Sequence, residues 1–509
     1  MPGSLLLGVD IGTASTKGVL CSPDGAVLAT AVIAHDTSFP RPGWAEHDAD
    51  ALWWTEVVSI TRELTSGRYT GADLGAVAVS AIGPCMTALD HDGKSLRPAI
   101  LYGIDTRATA EIALLNEQLG TDAIFSLSGM ALTSQTIGPK ILWLKRHEPA
   151  LFARTGMIHS SSDYVVFKLT GEHVIDRHTA SYFAPLFNID TLQWDARFAD
   201  AIIELDRLPR LGDATEIAGG VSAKASAETG LPIGIPVTFG TIDAAAEAVS
   251  AGVHHPGDTM IMYGSTMFFL GAVEDPRPDP RMWTTAHPLP PGRAITCGMA
   301  TSGLLTTWFC DVTSGSAPQG ERDKTFETLI AGATATPAGA DGLICLPYFA
   351  GERSPIQDPE ARGSFAGLML RHTRAHLFRA VLEGIAFGAR HNLEVMGEME
   401  ATPKRLIAVG GGTKNPLWMQ VVSDVTGVCQ FIPERTIGAS LGDAFMAGLG
   451  SGLIPDPGAL DRDWVRIVDQ VEPNPANAAR YDAMYEVYLD LYRQTKESMH
   501  RLGKIASQP

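Results

Sequence analysis

The sequence predicts an α/β protein built from two similar halves, and three observations predict it. Strand-like runs at residues 75–80, 236–239 and 405–409 each lead into a glycine-containing turn and then into helical pattern. Two hairpin candidates, LLLGVDIGTASTKGVL at residues 5–20 and TMIMYGSTMFFLGAV at 259–273, set apolar runs around a Gly/Ser/Thr turn, one near the start of each half. Between Arg374 and Met396, Leu377, Val381 and Ile385 recur at helical spacing with Phe378, Leu382 and Ala386 beside them, as expected of a core helix. The predicted halves are residues 1–252 and 253–509, divided where HHPG interrupts the pattern. Residues 274–291 are rich in proline and read as loop, 314–322 as an insertion, and 475–502 as a terminal helix.

Composition narrows the function classes. The chain has 509 residues, 45% hydrophobic and 19% charged, enough for two or more large cores. A formal net charge of −18 argues against nucleic acid or an anionic membrane as a general partner, while leaving room for a local basic pocket that binds phosphate. Cys21, Cys85, Cys297, Cys310, Cys345 and Cys429 form no CxxC pair, so the expectation is buried thiols in a reducing compartment and no zinc pattern. No basic segment followed by a long apolar core opens the chain, and no later run is long enough to span a bilayer, which predicts a cytoplasmic protein.

The first hairpin carries the chemistry most visibly. Gly12 lets the backbone approach a ligand, and the turn offers the hydroxyls of Thr13, Ser15 and Thr16 with the Lys17 ammonium, a set suited to polyphosphate oxygens. Asp10, at the strand end, is placed to hold Mg²⁺ through water. The same pattern also closes ordinary hairpins. It is not a P-loop: the one Gly-Lys-Ser, at 93–95, has Ala88 where that motif needs glycine, and Lys94 reads as a solvated turn residue.

Two further stretches extend the pattern. In IAVGGGTKNPLWMQVVSDVTG, residues 407–427, a strand runs into three glycines and then a helix, which either admits a nucleotide close to the backbone or is a tight turn. In PVTFGTIDAAAEAVSAG, residues 236–252, Asp243 precedes an Ala-rich helix. It is either a helix N-cap or a base that accepts a proton from a sugar hydroxyl as that oxygen attacks phosphorus.

Together with RPAILYGIDTRA (97–108), GPKILWLKRHEPALF (138–152), SSDYVVFKLTGE (161–172), LPYFAGERSPIQDPEARGSFAGL (346–368) and IGASLGDAFMAGLGSGL (437–453), these motifs resemble in order the FGGY family of carbohydrate kinases, over nearly the whole chain. The resemblance implies a fold of two actin-like, ribonuclease-H-like domains related by duplication, with the active site in a cleft between them. It implies Asp243 as general base and Asp10 as the Mg²⁺-placing residue, with ATP phosphates met by Gly12, Thr13, Ser15, Thr16 and Lys17 on one side and by Ser265 and Thr266 on the other. Gly303, Gly411, Gly412 and Asn415 would line the nucleotide pocket, with Asn415 near the base. Asp105, with Arg107 two positions on, would lie on the substrate side, and Arg353 would pair a carboxylate between domains. ATP and Mg²⁺ are the implied cofactors and a small sugar or polyol the implied partner. A homodimer is compatible with this reading.

The match is best to the branch that phosphorylates ketopentoses such as D-xylulose, and two departures bear on that substrate. Gly83 and Pro84 stand where that branch shows Met-His, and Ala244 follows the presumed base where Asn or Gln is usual. Both changes remove polar contacts, and polar contacts are what discriminate hydroxylated substrates. Other ketoses, pentitols, tetritols and gluconate are the alternative acceptors. A sugar- or nucleotide-responsive binding protein and an ATPase with a protein partner are the competing classes.

Overall fold

The computed structural model describes residues 3–314 and 319–506. The chain divides into two compact units. Unit 1 comprises Met1–Pro256, Ala272–Ala294 and Arg435–Arg466, and unit 2 comprises Gly257–Gly271, Ile295–Glu434 and Ile467–Pro509. The first crossing falls close to HHPG. Beside the expected split at 252/253, two later segments, Ala272–Ala294 and Arg435–Arg466, cluster with unit 1.

Unit 1 is organised on a sheet of β1 (Leu5–Ile11), β2 (Ser15–Cys21), β3 (Val27–Ala34), β4 (Leu74–Ala81), β5 (Ile217–Gly220) and β6 (Pro236–Thr238), in the spatial order β5-β6-β4-β1-β2-β3. A short β7 (Thr241–Ile242) also pairs with β4. β1 is antiparallel to β2 and parallel to β4, and all seven of its residues are buried, which accounts for a run too apolar for an edge strand. Its side chains alternate between two cores. Leu5, Leu7, Val9 and Ile11 join one with Val77 and Val79, while Leu6 joins the other with Ala76, Ala78 and Val19. Gly8 and Asp10 share the face of Leu6.

Helix Ala439–Ser451 covers that face. A Cβ at Gly8 would lie 1.9 Å from the Ser440 carbonyl oxygen, and one at Gly442 would lie 2.0 Å from that of Ala246, so this helix sits against both β1 and helix Asp243–Ser250 only because those positions lack side chains. This close approach is the physical reason that Arg435–Arg466 rejoins unit 1.

Unit 2 repeats the plan. Its sheet runs β10 (Arg293–Met299), β9 (Met267–Val273), β8 (Asp258–Tyr263), β11 (Arg405–Val409), β12 (Gln430–Pro433), β13 (Ile467–Val471). The β8–β9 hairpin is antiparallel, β11 is parallel to β8, and the edge strand β13 is antiparallel to β12, matching β1–β2, β4 and β5 in turn. Helix Arg374–Glu398 is the expected core helix, and Pro475–Ala506 the terminal one. The Pro-rich stretch expected to be loop contains a strand at Trp283–Ala286, and the expected 314–322 insertion lies partly outside the described residues, with a helix running from Gln319. Five of the six cysteines are buried and Cys429 is partly so. Among the described residues no helix is long and apolar enough to cross a membrane.

Candidate active site

Strand register assembles a cluster of acids in unit 1. Asp10 lies opposite Lys17 on β2 and opposite Ser80 on β4, so all three share the face covered by helix Ala439–Ser451. The Ser80 hydroxyl donates to Asp443 Oδ2 at 2.7 Å and lies 3.4 Å from Asp10 Oδ1, and Asp443 is fully buried. Asp243 is the first residue of helix Asp243–Ser250. The N-cap is Ile242, which rules out the capping reading, and among the described residues Asp243 Oδ1 accepts from the adjacent Ala244 N–H, at 2.8 Å.

Burial pushes the Asp10 carboxyl up to about 7, with the Glu247 carboxylate adding to the shift and Lys17 opposing it. Burial and then the charge of Asp10 raise Asp243 well above the carboxylate range, and the same two causes raise Asp443. Glu247 is raised by burial and opposed by Lys17. Several buried acids facing one ammonium is an arrangement that a divalent cation would relieve, and the donors are all oxygens, as Mg²⁺ requires. Sequence reasoning reaches the segment holding Asp443 but misses the residue. The available signal is a lone carboxylate inside the small and apolar run GASLGDAFMAG.

The expected phosphate-binding residues separate by face. Gly12 N–H donates to Ser15 O at 2.9 Å and closes the turn, which carries Thr13 and Ser15. Thr16 is a correction: alternation turns it to the opposite face, where it is fully buried and donates to Glu56 Oε2 at 2.5 Å. Asp105 is a second correction, since its buried oxygens are taken by the Arg107 guanidinium, as close as 2.6 Å, and by Ala45 N–H at 2.7 Å. Its role is to anchor Arg107, which also pairs with Glu46 at 2.8 Å and lies 3.8 Å from the Trp44 ring centroid. Gly83 does sit beside the presumed base. A Cβ there would come within 2.3 Å of Ile242, the residue before Asp243, so the turn through Gly83 and Pro84 has no room for a side chain at its first position. Lys94 is exposed, in a turn whose Asp90 carboxylate accepts from the Asp92 and Lys94 N–H groups.

Unit 2 holds a separate cavity of about 420 Å³, lined by Ser265, Gly303, Gly411, Gly412, Asn415 and Trp418 among others. Thr266, expected beside Ser265, does not line it; its carbonyl instead accepts from Gly264 N–H at 3.0 Å. Each glycine has its own reason. Gly410 has φ +93° and packs on Tyr263, a Cβ at Gly303 would lie 2.6 Å from the Gly264 carbonyl oxygen, and Gly412 has Trp418 and Tyr263 within 2.8 Å of its missing Cβ. Gly411 has nothing within 4 Å and leaves the wall open. Asn415 caps helix Pro416–Thr426 by accepting from Trp418 N–H, so its NH₂ is the donor it can offer a base. Among the described residues Arg353, expected to pair a carboxylate, has no ion pair. Its neighbour Glu352 is the buried group, accepting from Ala300 and Arg353 N–H and pushed up to about 8 by burial.

A duplicated actin-like fold, with buried acids and a lysine around the first hairpin and a glycine-walled cavity at the second, is compatible with an ATP-dependent phosphotransferase, and the relatives define the class. Residues 5–250 match the N-terminal domain of the FGGY family of carbohydrate kinases and residues 259–451 its C-terminal domain, and the chain belongs to that family. It is 30% identical over 508 residues to a xylulose kinase of Lactococcus lactis, covering 98% of each chain, and 28% identical over 498 residues to one of Bacillus subtilis, covering 97% of each. The crystal structure of a xylulose kinase from Rhodospirillum rubrum is similar with a TM-score of 0.91 at 33% identity, over 97% of this chain and all of that one. The chain is an ATP-dependent sugar kinase.

Proposed function

We propose that this kinase transfers the γ-phosphoryl group of ATP to a hydroxyl of a small ketose of the D-xylulose type, with Asp243 as general base and Mg²⁺ at Asp10. The observation that carries the reading is the position of Asp243, at a helix start and without a capping bond, where burial and then the charge of Asp10 make its carboxylate a stronger proton acceptor. Mg²⁺ would be held by Asp10, directly or through water, and would neutralise charge on the transferring phosphoryl group. Lys17 and the backbone of the Gly12–Ser15 turn meet the phosphate oxygens, and the unit 2 cavity takes the adenosine. The relatives' names support a ketopentose, while Gly83, Pro84 and Ala244 leave fewer polar contacts to read its hydroxyls, so the acceptor could be another ketose or a polyol within the same reaction class. Six scattered, mostly buried cysteines fit a reducing compartment.

The test is ADP release with ATP and Mg²⁺ across ketopentoses, ketohexoses, pentitols, tetritols and gluconate. Strong stimulation by D-xylulose supports the proposal. Stimulation confined to another compound reassigns the substrate, and ATP turnover that no sugar alters overturns it.

A further inference from the structure

The HHPG sequence at the crossing between units has no part in the kinase chemistry, yet its two histidines converge on one carboxylate. His254 Nε2 lies 3.4 Å and His255 Nε2 3.2 Å from the same oxygen, Asp461 Oδ2, and the two rings are 3.8 Å apart between centroids. All three donor atoms fall within 4.8 Å of one another. Asp461 comes from the returning segment Arg435–Arg466, so all three residues belong to unit 1.

We propose that His254, His255 and Asp461 form a binding site for a divalent transition cation of the Zn²⁺ class, distinct from the Mg²⁺ of catalysis. With metal–ligand bonds of about 2.0–2.1 Å, the donors of a tetrahedral site stand about 3.3–3.4 Å apart, which is the spacing of both nitrogen–oxygen pairs here. Two imidazole nitrogens and one carboxylate oxygen favour a borderline cation over Mg²⁺ or Ca²⁺, which take oxygen. His254 Nδ1 lies 3.4 Å from the Gly252 carbonyl oxygen, the partner that holds a ligating imidazole with Nε2 facing the metal. One cation shared by the two rings, 3.8 Å apart between centroids, and the carboxylate would satisfy all three donors. His255 and Asp461 are exposed, so water can complete the fourth position. The bound cation would tie the last residues before the crossing to the returning segment and stabilise unit 1.

Tag-free protein stripped with chelator and titrated with ZnCl₂ by calorimetry tests this, alongside His255→Ala and Asp461→Ala, two exposed positions whose loss spares the core. The expected result is one saturable site that each variant weakens by about 10-fold or more, with Zn²⁺ raising the thermal midpoint of the parent and not of the variants. Replacing Zn²⁺ with Co²⁺ should give the visible absorption of a tetrahedral nitrogen–oxygen site in the parent alone. Absence of saturable binding, or binding and Co²⁺ absorption that both variants retain, would overturn the site.

Discussion

The two hairpins have one plan and opposite chemistry. Counting inward from the turn, the second cross-strand pair is Asp10 with Lys17 in the first hairpin and Met262 with Phe268 in the second. Both turns close on a glycine N–H, from Gly12 to Ser15 O and from Gly264 to Thr266 O. The first therefore places buried charge where a phosphoryl group can be polarised, and the second presents backbone and small side chains to a cavity. The two turns share one plan, and the side chains at one register position, charged in the first hairpin and apolar in the second, set them apart.

The largest expected effect is on the chemical side alone. Asp243→Asn keeps the size and the helix start, and should lower the sugar-dependent transfer rate by about 10²-fold or more while leaving nucleotide affinity within about 2-fold. Parent-like turnover by this variant would show that Asp243 is only a helix-start residue. Next comes the register pair itself. Lys17→Met should lower kcat by roughly 10²-fold, the usual worth of one donor aimed at developing charge, whereas Phe268→Leu at the matching position should leave kcat unchanged. Equal losses in the two variants would mean that the hairpins are not specialised.

The same division explains what the sequence could reveal. The hairpins, the GGG turn and the helix beginning at Asp243 are local patterns whose spacing can be read in one pass, and each appears in the structure. Side-chain direction was harder. Thr16 belongs to the right turn but the wrong face, a distinction that needs the strand to begin by Ser15 so that alternation can be counted. Asp105, expected from resemblance on the substrate side, has its oxygens occupied by Arg107 two positions on, a pairing that spacing alone does not reveal. For Asp443 the lone carboxylate in its small and apolar run is the only local signal, because its partner Ser80 lies 363 residues away in the chain and the packing that joins them depends on a missing side chain at Gly8.

A smaller effect sharpens the nucleotide half. Gly411→Ala adds a methyl group into open space, so folding should be unaffected, yet the added group stands in the cavity wall and should raise KM for ATP by about 10-fold with little change in kcat. Gly303→Ala, whose Cβ would meet the Gly264 carbonyl oxygen at 2.6 Å, should instead lower thermal stability. If Gly411→Ala leaves KM untouched, the adenosine does not lie against that wall.

The last effect is one of stability rather than turnover, and its sign depends on which state binds the proton. Asp10 has an ordinary pKa of 3.8 in the unfolded chain and about 7 in the folded one, so between those values the folded state retains a proton that the unfolded state has released. The stabilisation this provides is complete below pH 3.8 and is lost as pH rises through about 7, leaving ion-free protein carrying a buried, repelled carboxylate at pH 8. Asp10→Asn removes that titration, so its stability should fall less than the parent's between pH 5 and pH 8 and exceed it at pH 8 by about 1–4 kcal/mol in chelator. Added Mg²⁺ should narrow the gap by stabilising the parent at pH 8 and not the variant. No comparable term is expected from the second hairpin, where Met262 and Phe268 have no proton to lose. Denaturant midpoints at the two pH values, with and without Mg²⁺, measure the difference, and a parent whose midpoint responds to neither would remove the cation from Asp10.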